Sequence, residues 1–180
     1  MRLSRLVAAP LAAGILMLAQ LAGVGPARAA ATDMACNYDH ISFNACLDFT
    51  HTGLNEWRAH AGLDAAMPQR YAQEIIDYGA GFRASLFGDD HGTGQFLADL
   101  TLMPGWPAAG PTGLGAEFAA TLSSTTLDED YNDEDEIYAV VSFFDYHRGV
   151  TVAFRTGTVH GEFAPVSEGG GGGGCLVACP

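Results

Sequence analysis

Two stretches of this chain concentrate acid. Of the nine residues Asp128 to Glu136, seven are acidic, and a second group, Asp89-Asp90-His91, stands between Gly88 and Gly92. Carboxylates about 6 Å apart repel by roughly 0.7 kcal/mol per pair even at the dielectric of water. Such a loop either spreads into solvent or gathers a hard cation through its oxygens, and outside the cell the usual cation is calcium. The helix-loop-helix calcium site does not fit. Asp128, Asp130 and Asn132 match its first three ligand positions, but Asp133 stands where glycine is required and Ala139 where a bidentate glutamate belongs. Catalysis has less to draw on: His-Glu-x-x-His, Gly-x-Ser-x-Gly and a phosphate-cradling glycine loop are all absent. Asp89-Asp90-His91 reads first as a polar hairpin tip, with acid-base chemistry as the alternative, so no residue is assigned a catalytic role.

Trp106 is the other chemical handle. It stands among Pro104, Pro107 and Pro111, and a stiff segment of that kind either presents a preordered aromatic ring to a partner or sugar or caps one end of the fold. Cys36, Cys46, Cys175 and Cys179 suggest two disulfides in an exported chain. The simplest pairing is Cys36 with Cys46 and Cys175 with Cys179, and the rival pairing straps the tail back onto the first strand. A metal site would need histidines at finger-like spacing, which are missing.

The elements that must carry these residues follow from apolar periodicity. Ile41, Phe43, Ala45, Leu47 and Phe49 alternate with polar residues, and Trp57, Ala59 and Ala61 do so after His51-Thr52-Gly53, which together predict a hairpin. Pro68 to Tyr78 predicts one short helix, stopped by Gly79, with a strand over Glu74–Tyr78 as the alternative. Period two returns over Phe82–Phe87, over Gln95–Leu102 through Phe96, Ala98, Leu100 and Leu102, and over Leu114–Leu122. Ile137–Phe144 is apolar on both faces and should be central, followed by Val150–Thr158 and a short strand within Val159–Phe163. The expected fold is therefore mainly β, an antiparallel β-sandwich of about eight strands with one short helix.

A meander of these strands brings both acidic loops to one end. That layout resembles the C2-type calcium-binding sandwich, in which aspartates from separate loops at one rim share cations. The resemblance implies calcium at Asp89, Asp90, Asp128, Asp130, Asp133 and Asp135. Asp145 cannot join them, lying about 30 Å along an extended strand from Glu136 at ~3.3 Å per residue. The basic and apolar membrane-binding rim of that family has no counterpart here.

Residues 1–29 read as a signal peptide: Arg2 and Arg5, an apolar run from Leu6 to Val24, and Ala27-Arg28-Ala29 as the small, x, small cleavage pattern. A membrane anchor is the competing reading, weakened by Pro10, Gly14 and Gln20. Residues 30–166 then form one domain of ordinary size, and 167–180 a glycine-rich tail with two cysteines. The chain has no lysine, and cleavage would leave five arginines against 21 acids. Nucleic acid and anionic membrane are therefore excluded as partners, because both need clustered basic residues. The chain also resembles the small, secreted, β-rich proteins of unassigned function in actinobacteria, a likeness that implies extracellular placement and no activity. The expectation is a secreted acidic binding module for an extracellular protein or glycan, with calcium as a stabiliser, and an extracellular hydrolase at the acidic rim as the alternative.

Overall fold

Alternating apolar residues build ten antiparallel strands in a computed structural model that describes residues 34–39, 42–89, 94–128 and 134–165. Residues 1–29, read above as a signal peptide, the glycine-rich stretch 167–180 with Cys175 and Cys179, and Asp90, His91, Asp130 and Asp133 lie outside the described residues. In chain order the elements are β1 (Ala35–Asp39), β2 (Phe43–Gly53), β3 (Glu56–Ala66), α1 (Gln69–Asp77), β4 (Arg83–Gly88), β5 (Gln95–Leu102), β6 (Ala108–Gly110), β7 (Gly113–Ser123), α2 (Ser124–Leu127), β8 (Asp135–Asp145), β9 (Val150–Arg155) and β10 (Val159–Gly161). No helix among the described residues is long and apolar enough to cross a membrane.

The strands run in the order β1-β2-β3-β7-β5-β4-β8-β10, with β6 on β7 and β9 beside β10 along the far edge of β8. Two well-paired halves result, β1-β2-β3-β7 and β5-β4-β8-β9/β10. They are joined along one side by the short pairing Thr101↔Ala119 and Leu102↔Phe118, continued by the Met103 N–H donating to the Glu117 carbonyl at 2.8 Å. On the other side β1 approaches the segment after β9: Asn37 Nδ2 donates to the Arg155 carbonyl at 3.1 Å, and a Cβ on Gly157 would lie 2.9 Å from the Cys36 nitrogen. The sheets thus wrap into a flattened, nearly closed barrel, which removes most of the free edge. Leu47, Leu63, Phe118, Leu86, Val141 and Phe163 fill its interior, all at most 1 % exposed. Trp57 packs edge-on to Phe163 and donates its indole N–H to Ser124 Oγ at 3.2 Å, so it belongs to the core, as its place in the alternation requires.

β8 is central, paired with β4 on one side and with β9 and β10 on the other. The helix forms over Gln69–Asp77 directly after Pro68, and Gly79 ends it with φ 71°. Two local readings need correction. The first hairpin turns at Leu54-Asn55, with Asn55 at φ 57°, because asparagine tolerates the left-handed conformation that the tight turn demands; β2 runs on through His51, which pairs with Trp57. In β5 the face is inverted at one point. Leu86 pairs with Ala98 while Phe87 pairs with Phe96, so Leu97 is an extra residue that turns inward onto the core and leaves Phe96 56 % exposed. A bulge of this kind breaks strict alternation.

Candidate functional site

At the rim, the β4–β8 pairing places Asp89 beside the start of β8, where its N–H donates to the Glu136 carbonyl at 2.7 Å. The Asp89 carboxylate meets Arg155 Nη2 at 2.5 Å, and that guanidinium also lies over the Tyr138 ring, 3.6 Å from its centroid. Asp135 is 1 % exposed and accepts the Phe163 N–H at 3.2 Å. Asp128 follows α2 and donates its N–H to the Ser124 carbonyl at 2.8 Å. No three His, Cys, Asp or Glu side chains among the described residues are grouped so as to hold a metal ion. Cys36 and Cys46 face each other across β1 and β2 and form a disulfide, the simplest pairing of the first two cysteines.

A cleft of about 510 Å³ opens on the other half of the barrel, where the outer face of β2, β3 and β7 meets β6. Trp106 forms one wall, Tyr38 and Phe43 add aromatic surface, and Asn44, Asp64 and Thr112 supply polar groups. Local chain geometry puts the indole there. Gly105 takes φ 87°, the Trp106 N–H closes a turn onto the Met103 carbonyl at 3.1 Å, and the chain then enters β6, paired to β7 through Ala108↔Gly115. Gly115 leaves the seat for the ring: a Cβ there would stand 2.7 Å from Trp106 Cζ3 and 3.5 Å from Asp64 Oδ1. The tryptophan therefore lies against bare backbone with a carboxylate beside it.

Asn44 and Asp64 also line a second hollow of about 220 Å³ with Asp48, His60, Gly62 and Glu117. The strand register makes this grouping, since Asp48 pairs with His60, Gly62 with Glu117 and Asp64 with Gly115. Gly62 again provides the space: a Cβ there would lie 2.9 Å from Glu117 Oε2. His60 stands between two acids, Nδ1 3.4 Å from Asp48 Oδ1 and Nε2 2.7 Å from Glu117 Oε2. Glu117 Oε2 is shut off from solvent, and among the described residues that imidazole is the polar group it faces.

The energetic consequence is visible at Glu117, whose carboxyl is pushed above the ordinary glutamate range by burial first of all; attraction to His60 and its hydrogen bond pull the other way but do not cancel burial and the repulsion from Asp64 and Asp48. A carboxyl raised in this way contributes stability below its unfolded value and loses it as pH rises through the folded one, so its ionised form works against the fold. Groups whose charged state destabilises the native protein gather at sites that bind or react.

Sequence reading singled out Trp106 and missed Asp48, His60, Asp64 and Glu117. Each occupies an outward position of an alternating strand and looks like ordinary solvated surface until the register of β2, β3 and β7 is known. The available signal was the interruption of those outward positions by glycine at 62 and 115. No protein-family model, no curated protein and no solved structure matches this chain.

Proposed function

We propose that this protein is an exported binding module that holds its ligand, an extracellular protein or glycan, in the Trp106 cleft by non-covalent contact. The observation that carries the reading is the indole laid over Gly115 beside Asp64, an aromatic wall with polar groups at its edge. Small-ligand and peptide sites combine apolar walls with a few placed polar atoms in this way. Truncating a central tryptophan typically removes ~2 kcal/mol of binding free energy or more, a loss of roughly thirtyfold in affinity. Ligands selected from an array of extracellular glycans and peptides should therefore bind Trp106→Ala about thirtyfold more weakly, with the melting temperature little changed. A ligand held equally well by that variant would sink the assignment.

Calcium at the rim belongs to the same proposal as a stabiliser, and the ion would have to compete with Arg155 for Asp89 and with the Phe163 amide for Asp135. Titration with millimolar calcium should raise the melting temperature, and Asp128→Asn with Asp130→Asn should abolish the rise. An unchanged melting curve removes calcium from the reading and leaves the cleft untouched.

A further inference from the structure

The cleft and the second hollow adjoin, with Asn44 and Asp64 lining both, and make a two-part groove. Its charge is one-sided. Asp64 stands in the shared wall with Glu117 and Asp48 beyond it; His60 is placed between two of these acids, and Arg58 follows one row further along the outward face of β3, outside the lining of either hollow. The arginines with ion pairs are engaged elsewhere: Arg70 with Glu74 and Arg155 with Asp89. The whole chain carries a formal charge of −13 and has no lysine.

From these observations we infer that the groove docks an extended segment of a partner protein and takes one of its arginine or lysine side chains, with the aliphatic stem against Trp106 and the charge among Asp64, Glu117 and Asp48. The inference rests on the Trp106 cleft being the binding site and adds the chemistry of the occupant.

Length selects a protein side chain over an amino sugar. On one face of a strand, successive residues are two positions apart, about 6.6 Å at ~3.3 Å per residue. That is the step from Asp64, opposite Gly115 and the indole, to Gly62, opposite Glu117. An arginine or lysine stem spans a comparable distance, roughly 6–7 Å from Cα to its charge, and lies well along apolar surface. The ammonium of an amino sugar sits directly on its ring, so a ring stacked on Trp106 brings the charge to Asp64 but leaves it a row short of Glu117. A guanidinium also supplies paired in-plane donors, which suit the carboxylates that line the groove, Asp64 among them.

The test is an NMR titration of the ¹⁵N-labelled protein with three probes: the blocked peptide acetyl-Gly-Gly-Arg-Gly-Gly-amide, the same peptide with citrulline for arginine, and the neutral trisaccharide of N-acetylglucosamine. Saturable shifts of the Trp106 indole and the His60 ring are expected with the arginine peptide. Asp64→Asn and Glu117→Gln should each weaken binding about tenfold, and Asp77→Asn, which removes an exposed charge on α1, should leave it unchanged. Equal binding of the citrulline peptide, or equal loss in Asp77→Asn, overturns the cation assignment. If the trisaccharide shifts Trp106 and the arginine peptide does not, the cleft stands as a binding site and this inference falls. Both fall if neither probe reaches Trp106.

Discussion

Asp145→Ala should lower the free energy of unfolding by about 3 kcal/mol, because one buried carboxylate satisfies three donors at the end of β8. Asp145 is 2 % exposed. It accepts the Tyr71 hydroxyl at 2.9 and 2.7 Å on its two oxygens, and the N–H groups of His147 and Arg148 at 3.1 and 3.2 Å. Burial alone would push its carboxyl up. The Tyr71 hydroxyl and the two amides outweigh burial and hold it below the usual aspartate range, while the same bond, with burial, raises the Tyr71 hydroxyl. The sign then follows. A depressed carboxyl stabilises the fold above the unfolded value, near ~3.9, and that contribution is lost as pH falls through the lower folded value. Chemical denaturation of the wild type and Asp145→Ala should thus differ most at neutral pH, and the gap should narrow as pH falls below the ordinary aspartate range. Asp145→Asn, which keeps one acceptor, should lie between them. A constant gap across that range would mean the charge on Asp145 plays no part.

Asp145, buried, and Glu117, partly buried, are both acids on long strands, yet their carboxyls move in opposite directions. The difference is the number of donors. Asp145 ends a strand where a turn offers backbone N–H groups, whereas Glu117 lies mid-strand, where backbone donors are committed to the ladder and, among the described residues, His60 is the side-chain donor that faces it. One acid therefore supports the fold, and the other is a cost that a bound cation would relieve.

Most of the architecture was legible because period-two burial is a local property of the chain. Ala45, Leu47 and Phe49 on β2 and Trp57, Ala59 and Ala61 on β3 point inward in the alternation their residue types announce. The same rule fails at Leu97, since nothing local in Gln95–Leu102 reveals that its partner strand is one residue shorter across the bulge. The groove was illegible for a related reason. Asp48, His60, Asp64 and Glu117 come from three strands, and only the pairing of β3 with both β2 and β7 makes neighbours of residues up to 69 positions apart. The acidic loops drew attention instead because charge contiguous in sequence is visible without any register.

Two glycines on β7 separate what holds the fold from what shapes the groove. Gly113 has φ 139°, and a Cβ there would stand 2.1 Å from the Ala65 carbonyl oxygen and 2.8 Å from the Met67 nitrogen, both backbone atoms of the neighbouring chain segment. Neither can move without opening the pairs Ala66↔Gly113 and Gly110↔Gly113, where β7 is held between β3 and β6. Gly113→Ala should therefore cost at least about 4 kcal/mol, enough to lower the melting temperature of a domain this size by roughly 10 °C. Gly115→Leu meets side chains instead, the Trp106 ring and Asp64, and these can yield. Its expected outcome is a melting temperature within a few degrees of wild type, a Trp106 indole resonance shifted toward that of a solvated ring, and binding in the cleft weakened as far as in Trp106→Ala. The Trp57 indole, buried and bonded to Ser124, reports in the same spectrum that the core has not changed. A Gly113→Ala protein as stable as wild type would contradict the close passage of β7 under Ala65. A Gly115→Leu protein that unfolds with it would show that the indole seat is part of the core and not the wall of a binding groove.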